Sequence, residues 1–85
     1  MQFRKKPVVV EAMQFDGLNA WEIEVWSGNQ AWVSPIVHPL GGLFLNVQTL
    51  NGQTQAVEGD WIIKGTRGEC WPCKPDIFEA TYEPV

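Results

Sequence analysis

The chain is poor in the residues that most often carry metal or redox chemistry, because its 85 residues include one histidine and two cysteines. It has no run that approaches the roughly 20 apolar residues of a membrane-spanning helix. Positive charge is also scarce: six Lys and Arg stand against ten Asp and Glu, for a net charge of −4. Since phosphate binding favours a basic face, nucleic acid is unlikely as the main partner.

The length predicts a single small domain, residues 1–85, with room for one core. The start of the chain is basic, but no apolar run of adequate length follows it, so we expect no secretory signal and a soluble, intracellular protein. Two cysteines without a secretory context do not suggest a disulfide framework.

Aromatic residues are what the chain has in excess: five Trp, four Phe and one Tyr. Each buried aromatic ring removes about 150–250 Å² from water. Five tryptophans exceed the usual need of such a small core. The core is therefore built on tryptophan, or one or two indoles lie on a functional surface.

The last third of the chain predicts the fold most clearly. Residues 61–64 form an apolar strand between turns, and residues 65–68 return the chain into a second strand at 69–71. In the register implied by that turn, Lys64 faces Glu69 and Ile62 faces Trp71. A second helix then starts at Pro75, and its residues Ile77 or Phe78 and Thr81 or Tyr82 are spaced to pack on the sheet.

Residues 43–57 alternate between apolar and polar side chains and read as a hairpin. Asn51-Gly52 suits a type I′ turn, which would place Val47 opposite Ala56.

The first third is predicted to hold a strand over residues 3–15 and then a short helix. Asn19 is the expected N-cap, Leu18 and Ile23 have the spacing of a hydrophobic staple, and Gly28 is the expected left-handed residue after the helix. Trp21 and Trp26 are expected to pack this helix on the sheet.

Residues 29–42 are irregular, apart from a possible short strand at 31–33. The fold class that follows is α+β: an antiparallel β-meander of four to six strands packed with two short helices.

Phrases at both ends of the chain resemble a group of short bacteriophage and prophage proteins. The first is residues 3–12, FRKKPVVVEA. The second combines residues 59–65, GDWIIKG, with Gly68-Glu69 and residues 72–83, PCKPDIFEATYE. The resemblance implies an accessory protein in the cytoplasm of an infected bacterial host, where such proteins often act on host machinery or immunity. It implies no catalytic or binding residues. Residues 27–57 carry no such resemblance, so a target specific to this protein would be met there.

Cys70 and Cys73 form a C-x-x-C pattern, which raises metal or redox chemistry as a weak alternative. A structural zinc site needs four ligands, and two cysteines with His38 supply three. On an extended strand the two thiols would also project to opposite faces. We therefore expect two structural thiols, no metal and no cofactor.

A surface tryptophan beside basic side chains can stack on a nucleobase and hold a phosphate. Trp32, in the irregular region, is the first candidate for an exposed indole. The candidate ligand-binding residues are Trp32, Arg4, Lys5, Lys6, Arg67 and His38. The structural alternatives are a core indole, a solvated edge strand and a loop histidine.

The functional hypothesis is a non-enzymatic phage accessory protein that binds a host component. That component is a host protein or a small anionic ligand, such as a nucleotide signal of host defence. The alternative is a structural or assembly protein in which hairpin edges form a homo-oligomer. An enzyme is disfavoured because no nucleophile–base pair or metal-ligand pattern appears.

Overall fold

The computed structural model describes residues 1–3, 7–37 and 41–85, without the side chains of residues 36 and 37. The elements, in chain order, are β1 (Glu11–Gln14), α1 (Ala20–Trp26), β2 (Ala31–Val37), β3 (Leu43–Thr49), β4 (Gly52–Ala56), β5 (Trp61–Lys64), β6 (Cys70–Cys73) and α2 (Pro75–Thr81). Six strands and two short helices in the described ranges confirm the predicted α+β class.

The strands form two antiparallel sheets of three strands each. Sheet A has the order β1-β5-β6, and sheet B has the order β2-β3-β4. Sheet B and the β5–β6 pair are meanders, but β1 crosses to pair with β5 instead of with the next strand in the chain. The first strand therefore adds an edge to sheet A that the meander prediction did not specify.

Sheet A has two differently covered faces, because side chains alternate along each strand. Ile62 and Cys70 belong to the inner face, in a buried cluster with Phe15, Ile23 and Leu45. The outer face carries the side chains that alternate with these. Its members are Ala12, Trp61, Ile63 and Trp71, as the registers of β1, β5 and β6 require. The central strand is thus covered on both sides, since Ile62 and Ile63 are both fully buried.

The turn of the β3–β4 hairpin lies one residue earlier than predicted, which shifts the pairing by two residues. Val47 lies opposite Thr54, not Ala56, and Thr49 pairs with Gly52 around a two-residue turn. A type I′ turn needs positive φ at both central residues, but Asn51 has negative φ. The Thr49 hydroxyl fixes the turn that forms, because it accepts the Asn51 N–H at 3.2 Å and donates to the Gly52 carbonyl at 2.6 Å.

The predicted register of β5 and β6 is wrong by one residue. Lys64 pairs with Cys70, not Glu69, and Ile62 pairs with Pro72, not Trp71. The loop takes one more residue than expected because the Gly65 N–H donates to the Glu69 carbonyl at 2.8 Å. Gly68 sits in this loop at a φ of 83°, which a side chain would oppose.

The start of α1 differs from its prediction. Asn19 occupies the N-cap position but makes no capping bond; instead, the Asp16 carboxylate accepts the Leu18 and Asn19 N–H groups at 2.7 and 2.9 Å. Leu18 is 95% exposed, so no hydrophobic staple with Ile23 forms. Gly28, with a φ of 70°, confirms the predicted end.

Two strand boundaries also differ. The first strand is confined to β1, and Val8 and Val9 before it are exposed. The region predicted as irregular contains β2, which runs through Pro35 with a register shift between Val33 and Val37. A proline is tolerated there because β2 is an edge strand with an irregularity.

Candidate functional site

An open groove of about 910 Å³ runs along the outer face of sheet A. Its floor is formed by Trp61 and Trp71 of the sheet, and one wall is α2. The segment before β1, residues 7–10, and the residues after α2 complete the lining. Most of these side chains are apolar, so the groove is a surface from which a ligand would displace water.

Aromatic rings stack in the wall of this groove. The Trp61 and Phe78 rings lie face to face, with centroids 4.1 Å apart and planes within 7°. The Tyr82 ring, one helical turn beyond Phe78, lies 5.2 Å from it at a tilt of 31°. Phe78 of α2 therefore packs on the sheet through Trp61, and Tyr82, which follows the helix, packs on Phe78. Of the alternatives that the sequence left open, Ile77 or Phe78, the structure places Phe78 on the sheet.

A buried carboxylate fixes α2 beside β5. Asp60 is 3% exposed, and its two oxygens lie 3.1 and 3.0 Å from the Lys74 ammonium. The Val57 N–H also donates to this carboxylate at 3.0 Å. Lys74 precedes Pro75, which occupies the first turn of α2. The ion pair therefore ties the start of the helix to the turn that leads into Trp61.

Gly65 lies where the floor of the groove needs a residue without a side chain. A Cβ at this position would lie 3.1 Å from Cζ3 of Trp71 and would collide with the Glu69 carboxylate. The Gly65 backbone thus passes close to the Trp71 indole, and a larger residue here would have to displace the indole or the Glu69 side chain.

The charged side chains among the described lining residues are Glu69 and Glu83. No Lys, Arg or His occurs among the described residues that line the groove. Beside these two carboxylates an apolar or positively charged ligand group is favoured, because an anionic group placed there would meet like charge.

Of the ligand-binding residues predicted from the sequence, the two that the structure describes do not line this groove. Arg4, Lys5, Lys6 and His38 lie outside the described residues. Trp32 is half-buried in β2, and Arg67 is exposed in the turn between β5 and β6; neither lines the groove. A small anionic ligand at these residues stays a prediction.

The tryptophans that are exposed and those that are packed are not the ones predicted. Trp21 is 73% exposed, although it was expected to pack α1 on the sheet. Trp26 does pack against the core, and the Lys64 ammonium lies 5.6 Å from its ring. Trp32, the predicted exposed indole, is half-buried. The most exposed indole therefore lies on α1, away from the groove.

The two cysteines are separated as an extended strand requires. Cys70 is buried on the inner face, while Cys73 pairs with Trp61 and lies on the outer face. Burial raises the pKa of the Cys70 thiol, an effect that Lys64 partly offsets and Glu69 reinforces. Burial also raises the pKa of the Cys73 thiol, with Asp60 and Asp76 adding to it. Both thiols are protonated at neutral pH, which is the opposite of an activated thiolate.

Within the described ranges, no group of three or more His, Cys, Asp and Glu side chains converges as metal ligands would. The helices of those ranges are also too short or too polar to cross a membrane. Comparison of the chain with protein-family models, with curated proteins and with solved structures found no match in any of the three.

Proposed function

We propose that this protein is a binding module that holds an extended segment of a partner protein in the aromatic groove. The observation that carries the proposal is the groove itself, with the Trp61, Trp71, Phe78 and Tyr82 rings along an open channel. Aromatic-lined grooves suit extended or proline-rich segments, whose backbone is already ordered and whose apolar side chains pack on the rings.

The charge of the lining defines the chemistry of that segment. Glu69 and Glu83 are the charged side chains among the described lining residues, so Lys or Arg in the ligand would find partners there. The segment we propose therefore combines proline or aliphatic residues with positive charge. Glu69 and Glu83 would repel a phosphate placed beside them, so the peptide version of the functional hypothesis fits the described lining better than the nucleotide version.

The resemblance to phage proteins supports a partner from a bacterial host. Val8 and Val10 of the groove come from the first resembling phrase, and Trp61, Phe78 and Tyr82 come from the second. The resembling phrases thus supply much of the lining, although Trp71 lies outside them. A non-enzymatic accessory protein that captures a host protein in the host cytoplasm is the role that fits these residues best.

A selection from a displayed library of random peptides tests the proposal. We expect the recovered peptides to be rich in proline, aliphatic residues and Lys or Arg. Their affinity for Trp71→Ala should fall at least tenfold, because the floor of the groove loses its largest apolar surface.

Trp21→Ala is the matched control, since it removes an indole that is 73% exposed and lies outside the groove. Circular dichroism would verify that both variants are folded. The proposal is wrong if the recovered peptides are acidic, or if they bind Trp71→Ala as tightly as the original protein.

A further inference from the structure

The edge strands of the two sheets are not equally protected against pairing with another chain. Natural edge strands commonly carry charge or proline that discourages such pairing. In sheet A, β1 carries Glu11 and β6 carries Pro72; in sheet B, β2 carries Pro35. The fourth edge, β4, has the sequence GQTQA, with neither a charge nor a proline. It is the edge that the described chain leaves open.

The backbone of β4 offers hydrogen-bonding groups at this edge. The Gln48 N–H donates to the Gln30 carbonyl at 2.7 Å, so Gln48 directs its backbone groups toward β2. Gln48 lies opposite Gln53, which is therefore a non-hydrogen-bonded position of the β3–β4 pair. Gln53, and Gln55 two residues later, direct their N–H and C=O groups away from β3. Thr54 between them bonds inward.

The side chains of β4 are self-complementary. Gln53, Thr54 and Gln55 are exposed. Their order, Gln-Thr-Gln, reads the same in both directions. Antiparallel pairing of two copies about Thr54 would place Thr54 opposite Thr54 of the second copy, and Gln53 opposite Gln55. Cross-strand Thr pairs are favourable, and no like charges would meet.

We infer that β4 pairs antiparallel with β4 of a second copy of this chain. The two copies of sheet B then form one continuous six-stranded sheet around a two-fold axis. Gln53 and Gln55 of each copy supply the hydrogen-bonded positions, and Thr54 lies on the axis. The contact is isologous, so it closes as a dimer. The two remaining edges of the six-stranded sheet are the β2 strands, which carry Pro35.

This dimer does not depend on the peptide-binding role. The pairing strand belongs to sheet B, whereas the aromatic groove lies on the outer face of sheet A. A result that contradicts one proposal would therefore not contradict the other.

Analytical ultracentrifugation from micromolar to millimolar concentration tests the dimer. We expect the original protein to dimerise as concentration rises. Thr54→Lys and Thr54→Glu should each remain monomeric, because the axis places like charges with Cβ atoms about 4.5–5.5 Å apart. An equimolar mixture of the two variants should restore a dimer, because opposite charges then meet on the axis.

Gln48→Lys is the control for Thr54→Lys, because it makes the same change in charge at an exposed position of the central strand β3. It should dimerise like the original protein. A second readout needs no variant: hydrogen exchange of the Gln53 and Gln55 amides should slow as concentration rises, while that of the Thr54 amide should not change. A protein that is monomeric at millimolar concentration, or whose dimer is unaffected by both Thr54 variants, would overturn the inference.

Discussion

The two sheets differ in how far the rest of the chain covers them. The central strand of sheet A is covered on both faces, since Ile62 and Ile63 are fully buried. The edge strand β4 of sheet B is exposed along residues 52–55 and buries only Ala56. Both strands belong to hairpins, yet one is enclosed and the other open. The stability of this small chain therefore depends on β5, whereas β4 is free for contacts.

The largest difference in stability is expected when one side chain is truncated in β5 and one in β4. Ile62→Ala should lower the free energy of unfolding by about 2–5 kcal/mol, because it removes buried methyl groups and leaves a cavity. Gln53→Ala, in β4, should change it by less than about 0.5 kcal/mol. Urea denaturation followed by tryptophan fluorescence measures both. Equal losses at the two positions would mean that β4 is not the open strand.

A second test concerns what covers the outer face of sheet A. Asp60→Ala should cost about 1.5–3 kcal/mol, because the Val57 N–H and the Lys74 ammonium lose a charged acceptor. The loss should also loosen α2 from β5. It would be seen as a lower midpoint in urea and as a change in the near-ultraviolet circular dichroism of the Trp61 and Phe78 stack.

The control for this change is Asp76→Ala, which removes an exposed carboxylate from the first turn of α2. It should cost less, about 0.3–1 kcal/mol, since it removes only a favourable charge at the helix start. If Asp60→Ala proves as mild as Asp76→Ala, the ion pair does not hold the helix in place.

The sequence predicts the enclosed strand well and the groove poorly, for one physical reason. The apolar run Trp61-Ile62-Ile63 between turns indicates a buried strand without knowledge of its partners. The groove depends on register, because the predicted pairing of Ile62 with Trp71 would turn Trp71 toward the inner face. A shift of one residue moves it to the outer face, beside Trp61. That shift is set by the loop through Gly68, whose length no local pattern specified.

The remaining differences also arise where a local sequence pattern does not specify the contact that forms. The pattern Asn51-Gly52 favours a type I′ turn, but the Thr49 hydroxyl stabilises a different one. In α1 the apolar residues lie on more than one face, so periodicity could not decide that Trp21 is exposed and Ile23 buried. By contrast, the start of α2 at Pro75 was predictable, and with it two pairs of residues one turn apart, Ile77 or Phe78 and Thr81 or Tyr82. Which residue of each pair packs inward was not specified by the sequence.

The smallest expected effect is a pH dependence of stability that comes from the two thiols, one on each face of sheet A. Burial raises the pKa of both Cys70 and Cys73 above the ordinary value of 9.0. Each thiol therefore adds stability that is fully present below pH 9 and is lost as pH rises through its higher folded value. We expect the midpoint in urea to be independent of thiol ionisation from pH 7 to about pH 8.5 and to fall slightly above about pH 9.

Alkylation by iodoacetamide at pH 8 distinguishes the inner face from the outer one. Cys73 should react slowly in the folded protein, and Cys70, at 1% exposure, only after unfolding. Cys73→Ser should thus leave a protein without a reactive thiol until urea is added, whereas Cys70→Ser should keep the slow reaction. Rapid alkylation of Cys70 in the folded protein would contradict its place on the inner face, and with it the register that turns Trp71 into the groove.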